Sequence, residues 1–279
     1  MFFNIYKVAH MKKISLSFIL ALTLTSCSSN PKDKLDSEFS FQGRPIEPWC
    51  INSITHSSSP SVNLAQCSNP FSEINITSPV TPDLQKQGFM GYSYEYKNDT
   101  PVMSPPYIFY KYLGKTGELH AVHKMWSDGR SGKHSYVYLI ERKGDTLNFI
   151  NGYGGDRCMG GVIDAKVEAG KVKYTKQLTP LTFIQNSSKN VFDYNTSSSL
   201  SDCATCCYMT GEFSDNEMIS VKLNPSLKQL FSDNKAGHMQ YCFDKLFKSY
   251  VKRNKLTLNS IELNQFIDSF EKKCVKYKR

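Results

Sequence analysis

The chain has 279 residues, a formal net charge of +9, 40% hydrophobic and 21% charged residues, and nine cysteines. That apolar share supplies a real core and excludes a disordered or low-complexity chain. The positive charge is local: residues 235–279 carry 11 basic and 4 acidic side chains, whereas residues 28–234 carry 20 and 21 and are close to neutral.

Met11-Lys12-Lys13 is a short positive start, whether translation begins at Met1 or at Met11. Ile14 to Leu24 is an almost unbroken apolar run, and Leu24-Thr25-Ser26-Cys27 ends it with small residues. A secretory signal has this order, and the run is shorter than the roughly 20 residues that a spanning helix needs. The ending resembles the lipobox of bacterial lipoproteins. That resemblance implies a signal peptide over 1–26, cleavage after Ser26, diacylglycerol on the Cys27 sulfur and acylation (palmitate) of the new amino terminus. By analogy with enterobacterial sorting, Ser28 implies passage to the outer membrane.

Residues 27–48 read as a lipidated N-terminus and polar linker with Pro31, Pro45 and Pro48, and residues 49–87 as loop-rich. From Gly88 the pattern changes to strands. Tyr92, Tyr94 and Tyr96 alternate with polar residues, which suits stacking on sugar rings or, more simply, a core face. Tyr107–Leu113 and Leu119–Trp126 follow. Tyr136–Ile140 and Leu147–Ile150 flank the turn Lys143-Gly144-Asp145, and Val162–Val167 and Val172–Tyr174 flank Ala169-Gly170. Met218–Leu223 adds one more strand. Many short strands predict an antiparallel sandwich or partly open barrel over 49–223.

A basic helical hairpin is expected over 224–279, which makes the fold class α+β. Met239, Cys242, Phe243, Leu246 and Tyr250 share one helical stripe. Leu263, Phe266, Ile267, Phe270 and Cys274 share another, and Asn259 with Glu262 matches a capping box. The short polar turn around Arg253-Asn254-Lys255 makes the two helices antiparallel. Its excess charge suits a solvated face, or anionic lipid headgroups and envelope polymers as partners. Nucleic acid is not an expected partner of an exported chain.

Setting Cys27 aside leaves eight cysteines, and an even number in an exported chain argues for disulfides. The hairpin brings Cys242 to Cys274. Cys50 and Cys67 flank the segment Ser57-Ser58-Ser59-Pro60-Ser61 and suit a local staple. Cys158 is expected to reach Cys207 or Cys206, with Cys203 taking the other. The Cys203-Ala204-Thr205-Cys206 spacing also invites a redox reading, but no βαβ pattern surrounds it and no His follows it.

His120 and His123 look like a metal pair, yet residues three apart on a strand point to opposite faces, so a packed His123 is favoured. Neither a metal nor a cofactor is expected. The loop Ser127–His134 suits a hairpin turn, or anion contact through backbone N–H groups, Arg130 and Lys133. The stretch Gly152–Gly161 suits ligand contact at Gly154, Gly155 and Arg157, or a cysteine-pinned corner. It has no GxGxxG, and the chain has no GxSxG. The expectation is a non-enzymatic envelope lipoprotein with a binding or structural role. The alternative is a periplasm-facing enzyme, either a thiol–disulfide oxidoreductase at Cys203/Cys206 or a hydrolase.

Overall fold

A computed structural model describes residues 39–56, 60–67, 74–97, 102–187, 200–229 and 237–275. The signal segment and Cys27 therefore lie outside the described residues. A tight hairpin, β1 (Ser40–Phe41) and β2 (Arg44–Pro45), precedes helix α1 (Pro48–His56), β3 (Ser61–Asn63) and the helical turn α2 (Leu64–Cys67).

β4 (Ile74–Pro79), helix α3 (Pro82–Lys86), β5 (Met90–Tyr96), β6 (Tyr107–Thr116), β7 (Leu119–Ser127), β8 (His134–Lys143) and β9 (Thr146–Asp156) come next. The six strands from β4 to β9 form an antiparallel meander, and β3 pairs on the free edge of β9 to complete a seven-stranded sheet.

The second sheet has five strands in chain order: β10 (Val162–Glu168), β11 (Lys171–Leu178), β12 (Met209–Ser214), β13 (Glu217–Leu223) and β14 (Thr257–Asn259). Helix α4 (Pro180–Gln185) lies between β11 and β12. Helices α5 (Gly237–Lys252) and α6 (Ser260–Phe270) flank β14. All pairings are antiparallel. Register shifts at Tyr112/Gly114 and Leu139/Ile140 add local twist and help curl the sheets into a half-barrel.

Two apolar layers hold this together. Ala121, Val137, Leu139 and Tyr153 of the first sheet pack with Val162, Ala165, Val172 and Tyr174 of the second. Tyr153, Tyr174 and Phe213 stack in a column with centroids 5.2 and 5.1 Å apart. The helical hairpin covers the rest of the second sheet's inner face with Phe243, Phe266, Ile267 and Phe270. Asn259 caps α6 as its spacing predicts: Oδ1 accepts from the N–H groups of Ile261 and Glu262, and Glu262 Oε2 accepts from Asn259 N.

The other face of the first sheet is also covered, which corrects the loop-rich and linker expectations. Pro48 opens α1 at a position where a missing N–H costs nothing. Cys50, Ile51 and Ile54 then form a buried stripe against Tyr110, Val122, Tyr138 and Ile140. The chain up to residue 48 reads as polar linker, yet Phe39 and Ile46 are each 1% exposed. Phe39 stacks on Tyr112 at 5.1 Å, and the Tyr110 hydroxyl donates to the Ile46 carbonyl at 2.5 Å. Among the described residues no helix is long and apolar enough to cross a membrane.

Candidate functional site at the distal pole

The N-terminal segment joins the fold at one end of the strands. The Ser40 carbonyl accepts from Arg142 Nη1 at 2.7 Å, and the Thr116 hydroxyl donates to Gly170 O at 2.6 Å, so the turns of both sheets meet there. The opposite end, here called the distal pole, holds the 127–134 loop, the glycine-rich corner and the cysteine cluster.

Both of the expected contact loops are at this pole, and they are bonded to each other. Lys133 N donates to Asp156 Oδ1 at 2.9 Å, and Arg157 N donates to the Lys133 carbonyl at 3.2 Å. The Arg157 guanidinium grips both oxygens of Asp156, at 2.9 and 3.0 Å. Partial burial works against ionisation of Asp156, but the Arg157 hydrogen bond and charge overcome it and hold the carboxyl below its usual range. Arg157 is therefore occupied in structure. Arg130 is exposed and lies 3.8 Å from Asp128, whose other oxygen takes the Arg130 backbone N–H. Lys133 is exposed.

Gly154 and Gly155 turn out to be needed for close packing. A Cβ at Gly154 would fall 2.3 Å from Ser135 O and 2.6 Å from the Tyr136 ring, which lies over it from the neighbouring strand. A Cβ at Gly155 would fall 1.9 Å from Met159 O. The stretch is a corner in which the chain leaves one sheet for the other, and disulfide geometry pins it. Cys158 pairs with Cys207 across a Cα–Cα distance of 4.7 Å, and Cys158 N donates to Ala204 O at 3.4 Å.

The other cysteines pair as Cys50–Cys67, Cys203–Cys206 and Cys242–Cys274, with Cα–Cα distances of 5.3, 5.2 and 5.6 Å. The Cys203–Cys206 pair closes a turn in which Cys206 N donates to Cys203 O, and both residues are half-buried. It does not open a helix, so no helix dipole acts on either sulfur.

Beneath this cluster is a buried polar set absent from the sequence reading. Tyr208 donates to Asp244 Oδ1 at 2.9 Å, Gln240 Nε2 reaches the same oxygen at 2.8 Å, and Gln240 Oε1 accepts from Ser201 N at 2.7 Å. These bonds tie the cysteine loop to α5. Burial raises the Asp244 pKa, and the hydrogen bonds from Tyr208 and Gln240 oppose that rise. Gln240 and Asp244 are four residues apart on one helical face, a spacing that reveals the face but not the partner.

His120 and His123 do face opposite ways. Burial on both sheet faces puts both inside: His120 Nδ1 lies 3.1 Å from the Tyr112 hydroxyl, and His123 Nε2 lies 2.9 Å from Ser135 Oγ. Tyr92 and Tyr94 are buried among Ile74, Ile108 and Trp49, with the Tyr92 hydroxyl donating to Glu47 at 2.6 Å. Lys124 was missed entirely. It is 0% exposed, with Nζ 5.2 Å from the Trp126 ring centroid and 5.4 Å from that of Tyr138, and burial pushes its pKa down to about 7. Its place in a strand of alternating residues would have shown it inward only if both sheet faces had been known to be covered. Among the described residues no group of three or more His, Cys, Asp or Glu stands ready to hold a metal ion.

In comparison with protein-family models, with curated proteins and with solved structures, nothing matches the chain.

Proposed function

We propose that the chain is a lipoprotein of the bacterial cell envelope, held through lipid on Cys27 and directed to the outer membrane, with a binding role at the distal pole. The observation that carries this reading is the cysteine pairing. All eight cysteines beyond Cys27 lie within bonding distance of a partner, and four disulfides belong to an oxidising compartment. The lipobox-like ending at Cys27 supplies the route there. At the distal pole the polar groups already serve the fold: Asp156 holds Arg157, Ser135 holds His123, and Asp244 holds Tyr208. A binding surface asks only for exposed groups, and the pole has those in Arg130 and Lys133.

Intact-mass measurement of the natural product tests the anchor. The expected product begins at Cys27 and carries diacylglycerol and a further acyl chain, and Cys27→Ala abolishes labelling by radioactive palmitate. A product that begins upstream and takes no label overturns the reading.

A second reading, thiol–disulfide exchange at Cys203/Cys206, is favoured by the half-exposed setting of that pair beside the buried Cys158 partner of Cys207. Limiting reductant decides it. A pair that opens first and then reduces a disulfide substrate in turnover supports an oxidoreductase, and a pair that resists reduction excludes one.

A further inference from the structure

The distal pole is continuous. From Lys133 the chain of contacts runs through Asp156 and Arg157 to Cys158, and from there to Ala204 and Cys207. Asn224 then donates to the Cys207 carbonyl at 3.2 Å, and Leu223 N donates to Leu256 O at 2.7 Å, one residue from Lys255. Loops distant in sequence thus share one edge: the 127–134 loop, the corner at Arg157 and the 252–255 turn bring cations to it, and the cysteine loop between them carries no cation and one exposed acid, Asp202. Sheet spacing of about 10 Å and strand spacing of about 4.8 Å make this edge on the order of 25 Å long.

The charges along it are unequal in kind. Arg157 and Lys255 are spent on Asp156 and Glu262, while Arg130 lies 3.8 Å from Asp128 and stays exposed. Lys133, Lys222, Lys252 and Arg253 are exposed, and no carboxylate of the described residues pairs with them. Lys222 lies opposite Thr257 in the β13–β14 pairing, which brings the hairpin turn to this edge. At the other pole, cations are interleaved with acids such as Glu118, Glu141 and Glu217.

We propose that this edge binds an extended polyanionic glycan of the envelope. The inference rests on the envelope reading above and names the partner of the same pole. Exposed cations strung along an edge, with no carboxylate partner among the described residues, match a polymer with repeated negative charge better than a small anion. An anionic bilayer fits less well. Cys27 is 12 residues from Phe39, a covalent reach of at most about 43 Å, and Phe39 packs at the opposite end of the strands, beside Tyr112. The eight residue steps from His134 to Arg142 along β8 alone span about 27 Å. The anchor therefore joins the fold at the pole opposite the cationic edge; a fully extended tether exceeds the strand length, and the vesicle arm of the test separates a bilayer from a glycan.

The test uses the purified protein in a non-ionic detergent and a fluorescent heparin oligosaccharide as the polyanion probe. It does not depend on whether Cys27 is lipidated, so its failure and that of the anchor are separate. Binding is expected to fall with rising salt. The variant Lys222→Gln/Lys252→Gln/Arg253→Gln should bind about tenfold more weakly or worse at low salt, with a log–log salt slope shallower by about 2. Lys115→Gln/Lys143→Gln/Lys171→Gln removes as many cations at the other pole and should change binding less than twofold. Equal losses in the two triple variants, or binding to vesicles rich in phosphatidylglycerol but not to the oligosaccharide, overturns the proposal. Thermal melting of both variants checks that each is folded.

Discussion

His123 Nε2 lies 2.9 Å from the hydroxyl of Ser135, and that hydroxyl is 2.8 Å from the Val162 carbonyl. The carbonyl can only accept, so Ser135 donates to it and His123 donates to Ser135. Nε2 therefore carries a proton, and burial, which lowers the pKa to about 4, keeps the ring neutral at pH 7. This relay bonds β7 to β8 and β8 to the first residue of β10, and so joins the two sheets from inside.

Burial, with Lys111 nearby, pulls the His123 pKa down to about 4 from 6.5, and Asp164 opposes them. The unfolded chain then binds the extra proton more readily than the folded one. The contribution to stability is complete above pH 6.5 and is lost as pH falls towards 4. The full shift corresponds to about 3 kcal/mol as an upper bound. Urea unfolding from pH 7 to pH 4 should show this loss in the natural chain, and His123→Phe should remove most of it. Parallel pH profiles for the two proteins would refute the relay.

Asp244 behaves in the opposite sense. Its folded pKa is raised, so its ionisation works against folding as pH climbs through that value. Asp244→Asn keeps an oxygen for Tyr208 and Gln240 and should leave stability at pH 7 equal or higher, with the difference vanishing in acid. Asp244→Ala leaves the buried Tyr208 hydroxyl without its acceptor and should cost about 1–3 kcal/mol. Denaturant midpoints at two pH values separate these outcomes.

The bridge between Cys242 and Cys274 spans 32 residues of sequence. In the chain-entropy account, replacing both by alanine should cost about 3–4 kcal/mol, with the helix hairpin still formed. The natural protein, denatured, should show no free thiol outside Cys27 before reduction and eight after it.

Two glycines make a contrasting pair. Gly155→Ala drives a Cβ to within 1.9 Å of the Met159 carbonyl, and backbone on both sides of the corner must move. Gly144→Ala meets nothing within 4 Å and bears only the cost of its φ of +59°, about 1–2 kcal/mol. A lower melting temperature and weakened polyanion binding are expected from Gly155→Ala, and a small thermal shift alone from Gly144→Ala.

Much of this fold is legible in the chain. The hairpins around Gly144 and Gly170 were readable because turn residues sit between alternating apolar runs. The hairpin of α5 and α6 was readable because two helical stripes and a capping box are local features. β4 was hidden because it is an edge strand whose residues after Ile74 are exposed, and it ends in Pro79. β12 follows directly on the cysteine cluster and carries Gly211 in its centre, so its alternation is weak. Helix α1 was masked by polar residues on its outer side.

The local periods, the turns, the cap on α6 and the partnership of Cys242 with Cys274 follow from short stretches of chain, because each depends on residues near in sequence or joined by a short connection. Cover on both faces of the first sheet arises from long-range packing, since it depends on where Phe39 and α1 fold back. The same long-range packing buries Lys124 and His120, spends Arg157 on Asp156, and gathers Lys133, Lys222 and Arg253 onto one edge. Those relations join residues that no local pattern connects.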